Sequence, residues 1–218
     1  MTWKNKFIEF SLKKGALQFG NFKLKSGRNS PYFFNSKYFY TGSDLLKLSQ
    51  FYVDMIIRDP IKIDILFGLA YKGIPIATTI AIILYKKYNI NLKYTFNRKE
   101  IKTYGEKGII VGNNIQKKNI IIIDDVITSG ITIQESISII QKNSNDNIIS
   151  NIFVALDRRE RGTIKKNSAI EQIKNQYSCN VFSIINIYDL IEYLSLKKIY
   201  PEKIKKIQDY QKSYGIHQ

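Results

Sequence analysis

The chain has 218 residues, a length that suits one domain, and 44% of them are hydrophobic, which is enough to form a core. A single cysteine excludes an intramolecular disulfide and a cysteine-rich metal site. The net charge of +16 favours phosphorylated or polyanionic partners, although a solvated lysine surface produced by codon bias would account for much of it.

Helical and strand-like apolar patterns alternate along the chain. One helix is predicted at 44–57 behind a Ser43 cap, and another at 74–88 with Pro75 in its first turn. Further helices are predicted at 132–143, 168–177 and 188–196, and strands at 63–68, 92–96, 120–123, 148–156 and 181–185. This order predicts an α/β fold with a mostly parallel sheet, helices on both faces, and ligands beyond the carboxyl ends of the strands.

No apolar run approaches the ~18 residues that a membrane-crossing helix needs, and the N-terminal segment lacks the apolar core of a secretory signal. We therefore expect a cytoplasmic protein with no membrane partner.

The strand at 120–123 runs directly into Asp124 and Asp125 and then into a small turn before a helix. Backbone N–H groups at such a helix start bind anions. Hydroxyl donors are available from Thr128, Ser129 and Thr132. Two carboxylates beside a phosphate site suit sugar hydroxyls or a metal-bound polyol. The alternative is a helix cap with ordinary acidic residues near the positive end of the helix dipole.

Three other segments place charged residues in predicted loops. The stretch "GLAYKGI" (68–74) follows a strand and carries Lys72 between glycines that permit close backbone approach. The stretch "NRKEIKTYGEKG" (97–108) is rich in cations and has no apolar period, so we expect an exposed, mobile loop. The stretch "DRRERG" (157–162) offers Arg158, whose guanidinium can fork onto a carboxylate.

An aromatic segment, "KSGRNSPYFFN" (25–35), joins Lys25 to Phe33 and Phe34, which would otherwise be core residues of a short strand. The single histidine, His217, lies in the tail, so the chain cannot assemble a Ser-His or Cys-His nucleophile elsewhere.

The stretch "IIIIDDVITSGIT" (120–132) resembles the ribose-5-phosphate recognition motif of the type I phosphoribosyltransferases. Together with the segments at 22–35, 66–79, 96–108 and 156–162, in this order, it resembles the orotate phosphoribosyltransferases of bacterial and fungal type. The resemblance implies a type I phosphoribosyltransferase fold as a single domain over 1–218, in which residues 1–40 contribute to a small hood over the base. It also implies transfer of a 5-phosphoribosyl group from phosphoribosyl pyrophosphate to N1 of orotate, in pyrimidine biosynthesis.

The resemblance assigns roles to the matching residues. Asp124, Asp125 and Lys102 are the implied catalytic residues, and the two aspartates would hold the ribose hydroxyls directly or through metal-bound water. The implied cofactor is Mg²⁺, held mainly by the substrate and acting as a Lewis acid. Arg158 would bind the orotate carboxylate, and either Phe33 or Phe34 would face its ring. The remaining implied substrate-binding residues are Lys25, Tyr71, Lys72, Arg98, Lys99, Tyr104, Val126, Ile127, Thr128, Ser129, Gly130, Ile131 and Thr132.

In the family that the chain resembles, the loop at 98–108 closes over the active site of the neighbouring subunit in a homodimer, where its cations surround the departing pyrophosphate. That family usually has Asp-His where this chain has Thr103 and Tyr104. Tyr104 cannot carry a positive charge, but its phenol can donate a hydrogen bond.

Three alternatives stay open at this point. A phosphoribosyltransferase for another base would need neither Arg158 nor the segment at 25–35. A non-catalytic regulator of the same fold would bind RNA or DNA through a basic face, yet it could lose the cationic loop that this chain retains. A nucleic-acid binder explained by charge alone has no recognised motif here, so we expect no nucleic-acid partner.

Overall fold

The computed structural model describes residues 2–24, 26–58, 62–105, 107–127, 130–144, 146–162 and 167–216. The helices are α1 Trp3–Lys13, α2 Gly42–Ile56, α3 Gly73–Tyr88, α4 Ile131–Asn143, α5 Ala169–Tyr177, α6 Ile187–Leu196 and α7 Pro201–Tyr214. The strands are β1 Leu17–Lys23, β2 Asn29–Phe34, β3 Ile65–Gly68, β4 Lys93–Lys102, β5 Gly108–Gly112, β6 Asn119–Ile123, β7 Val126–Ile127, β8 Ile148–Asp157 and β9 Asn180–Asn186. Within the described ranges, none of these helices is long and apolar enough to cross a bilayer.

The central sheet has the strand order β5-β4-β3-β6-β8, with β7 and β9 also paired to β8. All of its pairings are parallel except the one between β4 and β5, which is antiparallel. The prediction of a mostly parallel sheet is therefore confirmed. The carboxyl ends of β3, β6 and β8 meet at one edge of this sheet, because parallel neighbours end together.

Alternate residues of the central strands enter two separate apolar clusters, one on each face of the sheet. Leu66, Ile121 and Phe153 pack with residues of α2 and α3, and all three are at most 1% exposed. Their neighbours Ile65, Ile120 and Ile152 pack with residues of α4 and α5 instead. This two-sided burial explains the unbroken isoleucine run of β6, and it confirms that helices cover both faces.

A second, two-stranded sheet is formed by the antiparallel pair β1 and β2. It packs against both chain ends: Phe34 of β2 contacts Phe7 of α1 with ring centroids 6.0 Å apart, and Tyr32 of β2 meets Tyr210 of α7 edge-on at 6.2 Å. The apolar patterns predicted neither α1 nor α7. We call this pair the hood hairpin, because it lies in the N-terminal segment for which the resemblance implies a hood over the base. That role stays a prediction, and α7 packs against the hairpin.

The predicted Ser43 cap of α2 is wrong. Thr41, in extended conformation, is the N-cap, and its hydroxyl accepts from the Asp44 N–H at 3.2 Å. Gly42 adopts the helical conformation, so the helix begins earlier than the apolar pattern indicates, and Ser43 lies inside its first turn.

The prediction of an exposed, mobile loop at 97–108 is wrong in one respect, because much of the segment is a strand. β4 continues to Lys102 and pairs with β5, and Arg98 donates to the Gly108 carbonyl oxygen at 3.0 Å. The segment is therefore a β-hairpin at the edge of the sheet. Its residues from Lys99 to Ile101 are exposed, and a strand in solvent needs no apolar period, which is why the sequence pattern missed it.

Candidate active site

Asp124 and Asp125 interrupt a strand without shifting its register. Ile123 pairs with Phe153 and Val126 pairs with Leu156, so the offset to β8 is the same before and after the acidic pair. The Asp124 N–H donates to the Phe153 carbonyl oxygen at 3.1 Å, and the Asp125 carbonyl oxygen accepts from the Ala155 N–H at 2.9 Å. The backbone that carries the two carboxylates is thus fixed to the centre of the sheet.

Asp125 accepts two hydrogen bonds from different parts of the chain. The Lys72 ammonium lies 2.8 Å from its Oδ2 atom, and the Ser36 hydroxyl donates to the same oxygen at 2.7 Å. Lys72 precedes α3, and its predicted partner is the pyrophosphate; the sequence did not predict its contact with Asp125. Ser36 belongs to a short 3₁₀ turn after β2 and was missed, because a single serine after an aromatic strand carries no signal of its contact 89 residues away.

Asp124 is only 8% exposed. Burial, reinforced by the neighbouring charge of Asp125, raises the pKa of the Asp124 carboxyl from 3.8 to about 7, although Lys72 and Lys99 oppose the shift. Asp124 also lines a small cleft together with Val126, Ile127, Gly130, Thr132 and Ile133. The acidic pair therefore lies directly beside the start of α4.

The turn before α4 needs a glycine. Gly130 has φ +80° at the N-cap position, and a Cβ atom there would lie 3.1 Å from the Ile173 side chain. Thr132 lines the cleft in the first turn of the helix, and Ile131 is 48% exposed beside it. The predicted hydroxyl donors Thr128 and Ser129 lie outside the described residues. The first backbone N–H groups of α4, together with Thr132, are suited to an anion.

The loop between β3 and α3 is held tightly against β6. The Leu69 N–H donates to the Ile123 carbonyl oxygen at 3.1 Å, and the Ala70 N–H donates to Asn97 Oδ1 at 3.1 Å. A Cβ atom on Gly73 would overlap that same Ile123 oxygen, so only glycine fits there. The Ala70–Tyr71 peptide bond is cis, and Tyr71 is 69% exposed. This close approach is what brings Lys72 to Asp125.

The β4–β5 hairpin forms the far wall of the site. A wider, open cleft is lined by Tyr71, Ile74, Phe96, Asn97, Arg98, Lys99 and Glu100. Lys102 and Tyr104 lie further out, where the Lys102 ammonium is 5.0 Å from the centre of the Tyr104 ring. The structure thus brings Tyr71, Arg98 and Lys99 to one cleft. It places Lys102 and Tyr104 next to each other on the outer part of the hairpin; we call the segment at 98–108 the exposed arm.

The two phenylalanines of β2 face opposite ways, as neighbours on a strand must. Phe34 is 3% exposed and packs in the apolar core against Phe7 and Phe39. Phe33 is half-buried and stacks on Phe22 with ring centroids 5.4 Å apart. Of the two rings, Phe33 is the one outside the core. Lys25 lies outside the described residues.

Arg158 follows β8, as predicted, but its guanidinium is enclosed. It is 2% exposed, its Nε donates to Glu160 at 2.7 Å, and an Nη group donates to the Ser30 hydroxyl at 2.8 Å. The ring of Tyr32 lies 4.0 Å from the guanidinium carbon. The fork onto a substrate carboxylate stays a prediction, and the Nε edge is already used by Glu160.

The described part of the chain contains no group of three acidic, histidine or cysteine side chains that would form a metal site. Asp124 and Asp125 nevertheless provide the oxygen donors that Mg²⁺ prefers, and Lys72 is a cation bound to this pair. The donor set therefore fits a magnesium ion that takes its other ligands from a substrate.

Comparison with known proteins gives a consistent result. A family model described as the phosphoribosyl transferase domain matches residues 39–186. The orotate phosphoribosyltransferase of Buchnera aphidicola subsp. Acyrthosiphon pisum is 53% identical over 216 residues, covering 99% of this chain and 100% of the relative. That of Photobacterium profundum is 44% identical, covering 99% of each. A crystal structure of the Francisella tularensis orotate phosphoribosyltransferase is similar with a TM-score of 0.83 at 38% identity, covering 96% of this chain and 99% of that one.

Proposed function

The chain belongs to the phosphoribosyltransferase family, with full-length similarity to its orotate phosphoribosyltransferases, and from that premise we propose how its residues divide the work of the reaction. The activity is transfer of the 5-phosphoribosyl group from phosphoribosyl pyrophosphate to orotate, which yields orotidine 5′-phosphate and diphosphate in pyrimidine biosynthesis. The observation that carries the site assignment is the acidic pair fixed between the start of α4 and Lys72.

The ribose 5-phosphate binds at the start of α4. The phosphate takes hydrogen bonds from the backbone N–H groups of the first turn and from Thr132, with Gly130 allowing the turn. From their position in the sequence motif, we assign Thr128 and Ser129 as further hydrogen-bond donors to this phosphate. Asp124 and Asp125 accept hydrogen bonds from the ribose hydroxyls. The small cleft beside Asp124 supports this arrangement, because sugar and phosphate must be held by adjacent groups.

The pyrophosphate binds between the β3–α3 loop and the β4–β5 hairpin. Lys72, Arg98 and Lys99 line or adjoin that cleft, and Tyr71 offers a phenol and a backbone N–H at its edge. Lys102 and Tyr104 approach from the exposed arm. Lys72 is 47% exposed although it is paired with Asp125, so a pyrophosphate can share its ammonium without breaking a buried ion pair.

Orotate binds on the hood side of the ribose. Arg158 meets its carboxylate through the N–H groups of its two Nη atoms that are left after Nε donates to Glu160 and one Nη donates to Ser30. Phe33 faces the flat ring, because Phe34 is committed to the core. Lys25 contributes a cation near the base or the pyrophosphate, as its position in the motif implies.

The chemistry needs little proton transfer, because N1 of orotate is available as an anion. The difficult step is departure of a highly charged leaving group from an oxocarbenium-like centre, so catalysis is mainly positioning and electrostatic stabilisation. Lys72, Lys99 and Lys102 collect the charge that develops on pyrophosphate, while Asp124 and Asp125 hold the ribose. Mg²⁺, held mainly by the substrate and assisted by Asp124 and Asp125 directly or through water, supplies Lewis acidity when bound.

The functional unit is a homodimer in the cytoplasm in which the arm at 98–108 serves the neighbouring site. Two features support this. The arm exposes Ile101 (69%) and Tyr104 (73%) beyond the body of its own sheet, and the outer face of α3 exposes Ile82 (51%) and Tyr85 (56%). Exposed apolar groups of this kind are typical of surfaces that meet another protein.

The activity is tested by an absorbance assay. Orotate absorbance is expected to fall after addition of phosphoribosyl pyrophosphate and Mg²⁺, and mixtures with adenine, hypoxanthine or uracil in place of orotate should show no product. Consumption of a purine instead of orotate would contradict the base assignment, and no reaction with any base would contradict the activity itself.

A further inference from the structure

Glu160 collects hydrogen bonds from three separate parts of the chain. It is 2% exposed, and its Oε1 atom accepts from Arg158 at 2.7 Å and from the Tyr210 hydroxyl at 3.0 Å. Its Oε2 atom accepts from Arg28 at 2.8 Å. Arg28 lies between β1 and β2, and Tyr210 lies on α7. We call Arg28, Arg158, Glu160 and Tyr210 the Glu160 cluster.

The cluster carries two guanidinium groups and one carboxylate. A buried excess of positive charge is costly unless it is paired, so this arrangement favours the arrival of one more anionic group. Arg28 keeps 21% of its side chain exposed, whereas that of Arg158 is 2% exposed. Water can therefore screen the Arg28 guanidinium in part, whereas the Arg158 guanidinium depends on the protein groups around it.

The cluster also fixes the plane and the backbone of Arg158. Glu160 holds the Nε edge, Ser30 accepts from one Nη group, and the Tyr32 ring covers one face. Gln211 of α7 donates to the Arg158 carbonyl oxygen at 3.2 Å. A guanidinium held in this way presents its terminal edge in a single orientation, which a flexible arginine would not do.

We propose that Glu160 is a positioning residue for the orotate carboxylate, acting through Arg158, and that α7 contributes to base recognition by holding Glu160 through Tyr210. This inference rests on the proposed role of Arg158 in binding orotate. Glu160 itself does not touch the substrate. Its effect is to keep one arginine both oriented and incompletely neutralised, so that recognition of the base depends on the C-terminal helix.

The principal test variant is Tyr210→Phe, which removes one hydrogen bond to Glu160 and keeps the aromatic ring. The KM for orotate should rise about fivefold, because the loss acts through Arg158 and we expect it to cost only about 1 kcal/mol, the net contribution of a typical hydrogen bond. The kcat at saturating orotate and the KM for phosphoribosyl pyrophosphate should stay within about twofold of the wild-type values. The matched control is Tyr214→Phe on the same helix, whose hydroxyl makes none of the hydrogen bonds of the cluster and whose ring under Arg28 is retained.

Glu160→Gln tests the carboxylate itself and should raise the orotate KM more than Tyr210→Phe does. If this variant does not fold, because two guanidinium groups have lost their counterion, Tyr210→Phe decides the matter. Equal changes in both KM values, or none in the orotate KM, would show that the cluster serves only the fold.

Arg158→Ala is measured with the same assay. If Arg158→Ala raises the orotate KM while Tyr210→Phe does not, only the positioning role of Glu160 fails. If Arg158→Ala leaves the orotate KM unchanged, the role of Arg158 and this inference fail together.

Discussion

At the scale of single residues, the two adjacent aspartates differ in their surroundings. Asp125 has a lysine and a serine as partners, whereas Asp124 is buried beside another carboxylate. The sequence shows that the two carboxylates are adjacent, but it does not show how charge is distributed between them. That distribution depends on Lys72 and Ser36, which reach the pair from two other elements.

Asp124→Asn should stabilise the protein at pH 8 and remove activity. The raised pKa means that the folded protein binds this proton more tightly than the unfolded chain, so the associated stability is present below about pH 3.8 and is lost as the pH rises through about 7. Asparagine does not ionise, so the variant should not lose this stability at high pH. Its melting temperature should exceed that of the wild type at pH 8 by a few degrees. Thermal unfolding at pH 5 and pH 8 measures the effect.

The control for that experiment is Asp64→Asn. Hydrogen bonds from Asn119 lower the pKa of the Asp64 carboxyl, so this substitution should act in the opposite direction and lower the melting temperature at pH 8. If Asp124→Asn also lowers it, the Asp124 carboxylate is stabilised in its charged form, contrary to the raised pKa.

Arg158→Ala should mainly weaken orotate binding. A charge-assisted fork contributes roughly 1.5–3 kcal/mol, which corresponds to about ten- to a hundredfold in affinity. The affinity for phosphoribosyl pyrophosphate should change little, because Arg158 packs against β2 and does not line the cleft proposed for the pyrophosphate. Separate KM measurements for the two substrates provide the comparison, with Arg161→Ala as the neighbouring control. Equal loss for both substrates would assign Arg158 to the Glu160 cluster alone.

At the scale of elements, the β3–α3 loop depends on close backbone approach. Gly73→Ala should destabilise the loop and lower activity, because the added methyl group would overlap the Ile123 carbonyl oxygen next to Asp124. The expected loss of stability is about 1–3 kcal/mol, as for other overpacked positions. Denaturant unfolding and kcat, measured on the same preparations, would show whether both properties change.

Gly42→Ala is the matched control for this prediction. A Cβ atom on Gly42 meets no atom within 4 Å, and the residue occupies the first position of α2. Alanine there should be neutral or stabilising by up to about 1 kcal/mol. If both alanine variants behave alike, close packing at Gly73 is not what the loop requires.

At the scale of the whole molecule, the exposed arm is expected to act across a dimer. Lys102→Ala and Asp125→Asn should each be inactive alone, and a mixture of the two proteins should regain activity, since one site in each mixed dimer then has neither defect. Free and equal exchange limits the recovery to about a quarter of the wild-type rate, because half of the dimers are mixed and each has one intact site. No recovery, with subunit exchange verified by two different tags, would mean that the arm serves its own subunit.

The sequence by itself determined much of the sheet and the position of the acidic pair at its carboxyl edge. Isoleucine runs buried on both faces predict parallel strands, and Asp124 and Asp125 can lie only at the carboxyl end of β6. Such features are local, because strand period, helix start and glycine spacing depend on neighbouring residues. The same reasoning missed the pairing of β4 with β5 as far as Lys102, since an exposed edge strand carries no apolar period.

Contacts between distant segments were decided by the tertiary structure alone. Ser36 reaches Asp125 across 89 residues, and Arg28 reaches Glu160 across 132. No spacing rule along the chain relates such positions, because the fold of the intervening elements sets the distance between them. For the same reason the motif shows that Arg158 follows a strand, while only the packing of the hood hairpin and α7 shows that its guanidinium is buried and held by Glu160.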